Sequence, residues 1–200
     1  HLLDQRKKTK ELMKQTNDEN KKKVLDGLQL AYKVTANSVY GQTGARTSSI
    51  SLKKLAACTT AIGRQRIYDA KDGVIEWAEQ NNYHKPEIVY GDTDSVFIKF
   101  SRIHHETNEL LKGKKALEYC IDCGIKSGKW ITKHKMNDPQ DLEYEKTFYP
   151  FCLLSKKRYV GMLYEFDIEV GKLKSMGLVL KRRDNADIVK DIYGEVISML

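Results

Sequence analysis

The chain has 200 residues, 31% of them charged, with a formal net charge of +8. That length suits one domain or one lobe of something larger, and the basic balance favours an anionic partner. No run of ~18 apolar residues occurs, which excludes a transmembrane helix of ordinary length. The first residues, His1 to Arg6, lead into a charged helical pattern rather than a signal peptide. An intracellular, non-secreted protein with no membrane partner is therefore expected. The absence of an initiating Met and the abrupt end at Leu200 suggest an excerpt of a longer chain.

Leu2 to Gln15 reads as a first helix, with Arg6 and Lys10 four apart on one face. Residues 6 to 14 hold Arg6, Lys7, Lys8, Lys10 and Lys14 against the single acid Glu11. Thr16 to Asn20 is a polar turn, and a second helix from about Lys21 to Tyr40 would complete an antiparallel hairpin. Lys33, Asn37 and Tyr40 fall at i, i+4 and i+7 and share a face of it. Alone, this stripe reads as a solvated face near a helix end; alternatively Lys33 meets a phosphate and Tyr40 a sugar or base. Gly41 and Gly44 would let the backbone turn or a ligand approach closely.

Ser49 or Ser51 can cap a third, core helix from Leu52 to Trp77 that packs beneath a sheet. The next stretch, Ile88 to Ile98, sets two β-prone runs around Gly91-Asp92-Thr93-Asp94-Ser95, a tight hairpin pattern. In extended backbone, residues two apart share a face, so Asp92 and Asp94 can point together. Two close carboxylates repel unless a cation or proton joins them, and Mg²⁺ takes such oxygens together with phosphate oxygens. Turn chemistry alone accounts for the same residues slightly better, since Asp and Gly dominate turns.

Beyond Phe100, His104 and His105 are expected to face solvent. Leu110 to Lys133 reads as a helix broken by Gly124 and Gly128; its Cys120 and Cys123 have no second pair at zinc-finger spacing. Leu142 to Tyr149 alternates like a strand, with Glu143 and Glu145 on one face. Phe151 to Leu154 and Tyr159 to Phe166 are further strands, joined by the basic crest Ser155-Lys156-Lys157-Arg158. Gly171 to Arg183 is a basic run without an acid, and a last helix is expected from Ala186 to Leu200.

Three motifs in this order resemble B-family DNA polymerases: Lys33-x-x-x-Asn37-Ser38-x-Tyr40-Gly41, Tyr90-Gly91-Asp92-Thr93-Asp94-Ser95 and Lys156-Lys157-Arg158-Tyr159. The similarity runs through all 200 residues, includes Gly177 and Arg182-Arg183-Asp184-Asn185, and is nearest to delta-type enzymes of eukaryotes and large DNA viruses. It implies an α+β architecture: an antiparallel palm sheet backed by helices (46–185), an inserted fingers helical hairpin (1–45) and the start of a thumb (186–200). It implies template-directed transfer of a nucleotidyl group from a dNTP to a primer 3′-hydroxyl, with two Mg²⁺ ions.

By the same resemblance, Asp92 and Asp94 are the palm carboxylates, with Asp94 the stronger candidate for direct metal ligation. Arg6, Lys10 and Lys33 grip the triphosphate, Asn37 supports the pocket and Tyr40 lines the nascent base pair. Gly41, Thr93, Lys156, Lys157, Arg158, Tyr159, Gly177, Arg182 and Arg183 would lie against primer–template DNA. Glu143 and Glu145 fall where relatives carry accessory acids. A sliding clamp would be reached through regions outside these residues, and the setting would be a nucleus or a viral replication compartment. Met176-Gly177 departs from the family's frequent Lys-Gly. The family's first metal-binding aspartate, in an Asp-x-x-Ser-Leu-Tyr-Pro type motif, has no counterpart here, so these residues alone are not expected to polymerise. A non-catalytic nucleic-acid-binding module of the same fold is the alternative, and an RNA-making polymerase fits less well because Tyr40 suits a crowded deoxyribose pocket.

Overall fold

A computed structural model describes residues 1–178 and 185–199. The chain forms two compact units, His1–Gly63 and Arg64–Leu200. The first contains α1 (Leu2–Gln15), α2 (Glu19–Gly44) and the start of α3 (Lys53–Gln80). The sequence ends α1 at Thr16, whose backbone is extended, and restarts the chain at Asp18. The Asp18 carboxylate accepts from the amides of Asn20 and Lys21 at 2.9 and 3.3 Å, satisfying two of the free N–H groups that open any helix. The three-residue connection makes α1 and α2 an antiparallel pair. Arg6 Nε donates to Gln29 Oε1 at 3.2 Å across it.

In the second unit, α3 continues to Gln80, and α4 (Gly113–Lys135) packs against its buried half. Val74, Trp77 and Ala78 of α3 meet Cys123 and Ile131 of α4 in the main core, and Ile88, Ile98 and Phe100 lie against it. Antiparallel β1 (Glu87–Asp92) and β2 (Ser95–Lys99) form one sheet; β3 (Thr147–Ser155), β4 (Arg158–Tyr164) and β5 (Lys172–Met176) form another, in that order. α5 (Asp187–Ser198) follows, and its Ile197 joins Val160 and Leu178 in a smaller core.

The α+β class is thus present, with a correction to its detail: the single antiparallel sheet expected is two sheets among the described residues. They meet through side chains rather than a shared ladder. Phe97 of β2 sets its ring 5.4 to 6.2 Å from those of Phe148, Phe151 and Tyr159 on β3 and β4.

Three local expectations are corrected as well. Gly124 and Gly128 do not break α4, because the missing side chains admit neighbours: a Cβ at Gly124 would stand 2.7 Å from the Tyr144 ring, and one at Gly128 3.0 Å from the Leu142 carbonyl oxygen. The alternating stretch at Leu142 to Lys146 is not a strand. There the Leu142 amide donates to Thr132 Oγ1 at 2.9 Å, and its carbonyl accepts from the same hydroxyl at 3.3 Å, so a helix side chain takes the bonds a ladder would use. His105 does not face solvent: its ring stacks on Tyr83 at 3.8 Å between centroids, and its amide donates to the Tyr119 hydroxyl.

Candidate functional site

Between β1 and β2 the chain reverses in the fewest residues possible. Asp92 pairs with Ser95, and the Asp94 amide donates to the Asp92 carbonyl at 2.5 Å, closing a three-residue turn. Ser95 Oγ donates to the same carbonyl at 3.1 Å. Thr93, at the apex, has φ 48°. A β-branched residue at positive φ is strained and persists only where its surroundings over-determine it. Asp92 is half-buried and Asp94 exposed. Since Asp94 lies in the turn rather than on the strand, strand alternation does not set its direction.

The β3–β4 turn, Lys156-Lys157 between the paired Ser155 and Arg158, reaches this hairpin. Lys157 Nζ lies 2.7 and 2.9 Å from the two carboxylate oxygens of Asp92. The Lys157 amide donates to the Tyr90 hydroxyl at 2.9 Å, so the turn is tied by backbone as well as by charge. Lys157 itself sits at φ 60°. Gly177, at the end of β5 and at φ 63°, backs the turn: a Cβ there would stand 2.1 Å from the Lys157 carbonyl oxygen. Only glycine fits so close an approach at that backbone angle.

The electrostatics follow from these contacts. Lys157's hydrogen bond, aided by the Thr93 hydroxyl and by Tyr90, holds the Asp92 carboxyl below its ordinary range. In return the Asp92 hydrogen bond keeps Lys157 protonated to higher pH, and the field of Asp94 acts in the same direction. One ammonium therefore serves a turn carrying two carboxylates. Among the described residues no three His, Cys, Asp or Glu side chains gather into a metal cage. Two carboxylates still fit Mg²⁺, which commonly takes one or two of them and completes its shell with water and substrate phosphate. The cation already drawn to Asp92 shows that this spot attracts positive charge.

Some of the other sequence candidates in the second unit, Lys156, Arg158 and Tyr159, belong to or follow the β3–β4 turn. Tyr159 is 8% exposed and packed among Phe97, Phe148 and Phe151. Burial raises its phenol pKa, and its field includes Lys146, Tyr90, Asp92 and Glu145. Glu145 is exposed and ion-paired with Lys146 at 2.9 Å, and Glu143 is exposed. Lys156 and Arg158 are exposed on either side of Lys157. Arg182 and Arg183 lie outside the described residues. Cys123 is buried and Cys120 half-buried, and desolvation raises both thiol pKa values, Cys123 to about 12, so they are poor nucleophiles.

In the first unit, Lys33, Asn37 and Tyr40 lie on the continuous helix α2 and are all exposed. Gln29, one turn before Lys33 on the same face, is the residue that Arg6 touches, so Arg6 extends this polar row from α1. Lys10 is exposed one turn further along α1. The Tyr40 hydroxyl shares a 2.9 Å hydrogen bond with Thr60. Gly41 does not turn the chain: α2 runs through it to Gly44, and open space lies beside it.

The sequence reading gave Tyr90 no role, yet its hydroxyl joins the two hairpins. A signal was available: Tyr90 lies two residues before Asp92 on an alternating strand and shares its face.

The model of DNA polymerase family B matches residues 1–200. The DNA polymerase of Pyramimonas orientalis virus is 54% identical over 179 residues, covering 90% of this chain and 14% of that protein. The DNA polymerase delta catalytic subunits of Schizosaccharomyces pombe and Candida albicans are 39% and 35% identical over 201 residues, covering all of this chain and 17% and 18% of theirs. The chain thus spans less than a fifth of the length of these curated relatives. With a match from first residue to last and such identities, the chain belongs to DNA polymerase family B.

Proposed function

We propose that this chain carries the nucleotide-binding and catalytic carboxylate elements of a DNA-directed DNA polymerase, adding dNTPs to a primer on a DNA template. The observation that carries the reading is the Asp92-Thr93-Asp94 turn, two carboxylates on a strained apex with a basic turn tied against it, in a chain of this family. Residues 1–45 act as the fingers hairpin, 46–185 as palm and 186–200 as the start of the thumb. Arg6, Lys10 and Lys33 bind the triphosphate, Asn37 supports them and Tyr40 bounds the base-pair pocket. Lys156, Lys157 and Arg158 hold the phosphates of the primer–template, a grip that is indifferent to sequence and sensitive to salt.

Asp92 and Asp94 would hold Mg²⁺, with Glu143 and Glu145 as accessory acids. When bound, the metal pair of such enzymes activates the primer hydroxyl and neutralises the triphosphate. The chain's own part is to aim the carboxylates and keep Asp92 ionised. Polymerisation requires a further aspartate beyond these residues, and the setting is a nucleus or viral replication compartment. In the complete polymerase, Asp94→Asn should abolish primer extension while DNA binding persists. Extension at near wild-type rate in that variant would refute the catalytic assignment and favour a DNA-binding module.

A further inference from the structure

We propose that Lys157 is the resident counter-ion of the Asp92–Asp94 turn, exchanging with a divalent cation so that metal loading frees its ammonium for a DNA phosphate. The inference rests on the metal-site reading above but adds a competitor to it. Lys157 Nζ bonds both Asp92 oxygens, at 2.7 and 2.9 Å, and so occupies the atoms a metal would coordinate. Its charge also reaches Asp94. A divalent ion and the ammonium therefore cannot hold Asp92 together at these distances without strong like-charge repulsion.

The arrangement favours exchange rather than a fixed pair. The Lys157 side chain is 67% exposed and that of Asp92 29%, so the arm can leave without opening a core. Its backbone, by contrast, is pinned by the Tyr90 hydroxyl in front and by Gly177 behind. Anchored backbone and mobile arm make a pivot. Lys156 and Arg158 flank it on the same exposed turn, so a strand bound there offers phosphates to the released ammonium. By linkage, DNA that takes the ammonium must tighten metal binding as much as metal tightens DNA binding.

Mn²⁺ binding to the purified protein, followed by the electron paramagnetic resonance of the free ion, tests this. Without DNA, Lys157→Met should bind Mn²⁺ on the order of fivefold more tightly than the wild type, the scale expected for one exposed unit charge at contact. Added primer–template should tighten Mn²⁺ binding by the wild type and leave the variant unchanged. Lys157→Gln, which keeps a polar arm of similar reach, should behave like Lys157→Met. Equal or weaker Mn²⁺ binding by both Lys157 variants would overturn the inference. The combined Asp92→Asn and Asp94→Asn change separates the two failures. If it abolishes binding while the Lys157 variants change nothing, only the exchange falls; if it too changes nothing, the metal-site reading falls with it.

Discussion

Replacing Gly177 with Ala tests whether the β3–β4 turn is held from behind. Two costs add at this position. At φ 63° an alanine sits in the left-handed region, at roughly 1–2 kcal/mol. Its Cβ would also stand 2.1 Å from the Lys157 carbonyl oxygen, about 1 Å closer than such atoms approach. Relieving that overlap requires backbone movement, since neither atom belongs to a flexible side-chain end, and forced shifts of this kind cost about 1–3 kcal/mol. Together the penalty is about 2–5 kcal/mol, which for a chain of this size lowers the melting temperature by roughly 5–15 °C. The Lys157 amide would move off the Tyr90 hydroxyl, so the Asp92 carboxyl should titrate closer to its ordinary range. Circular dichroism melting and carboxyl carbon NMR read the two effects. Gly27→Ala, in a helix interior with open space beside it, is the contrast and should stabilise by about 0.5–1 kcal/mol. A Gly177→Ala protein that melts within about 2 °C of the wild type would refute the close approach.

Asp92 should titrate below its ordinary value of 3.8 because Lys157 bonds its ionised form. A depressed folded-state pKa means its stabilisation is complete above the unfolded value and is lost as pH falls through the folded one. In Lys157→Met the Asp92 titration should move up toward 3.8, and an unmoved curve would contradict the pairing. Ile131→Ala removes a fully buried side chain between α4 and α3, where it lies against Gly73. It should cost about 2–5 kcal/mol in urea unfolding.

Local signals carried much of the fold. The polar turn Thr16 to Asn20 placed the boundary between α1 and α2, because a helix end is a matter of four unpaired amides and the nearest acceptor. The Asp92-Thr93-Asp94 hairpin was legible for the same reason: short strands and turn residues are neighbours in sequence. What local reasoning missed depended on distant partners. Gly124 and Gly128 each cost an isolated helix about 1 kcal/mol, and only the arrival of Tyr144 and Leu142 makes them useful. β5 carries Lys172 and Lys174 and reads as a basic run; among the described residues it becomes a strand by pairing with β4 alone, an edge position where lysines discourage further pairing. At the candidate site, Asp92 was visible, but the ion pair that neutralises it joins residues 65 apart.

The register of β1 against β2 slips by one residue between Ile88 and Tyr90, leaving Val89 as a bulge. Ile88 pairs with Ile98, and both lie against the helical core; Tyr90 pairs with Phe97, and both turn to the aromatic cluster of the other sheet. Ile98 and Phe97 are adjacent and point oppositely, as strand geometry requires. Ile88 and Tyr90 are two apart and would otherwise point alike. The extra residue inverts the parity of the strand midway. Its first half is phased to the core, and its second half delivers Tyr90 and Asp92 to the opposite side. The aim of the carboxylate is thus encoded in a count of residues rather than in any side chain, and Val89 is the odd digit in that count.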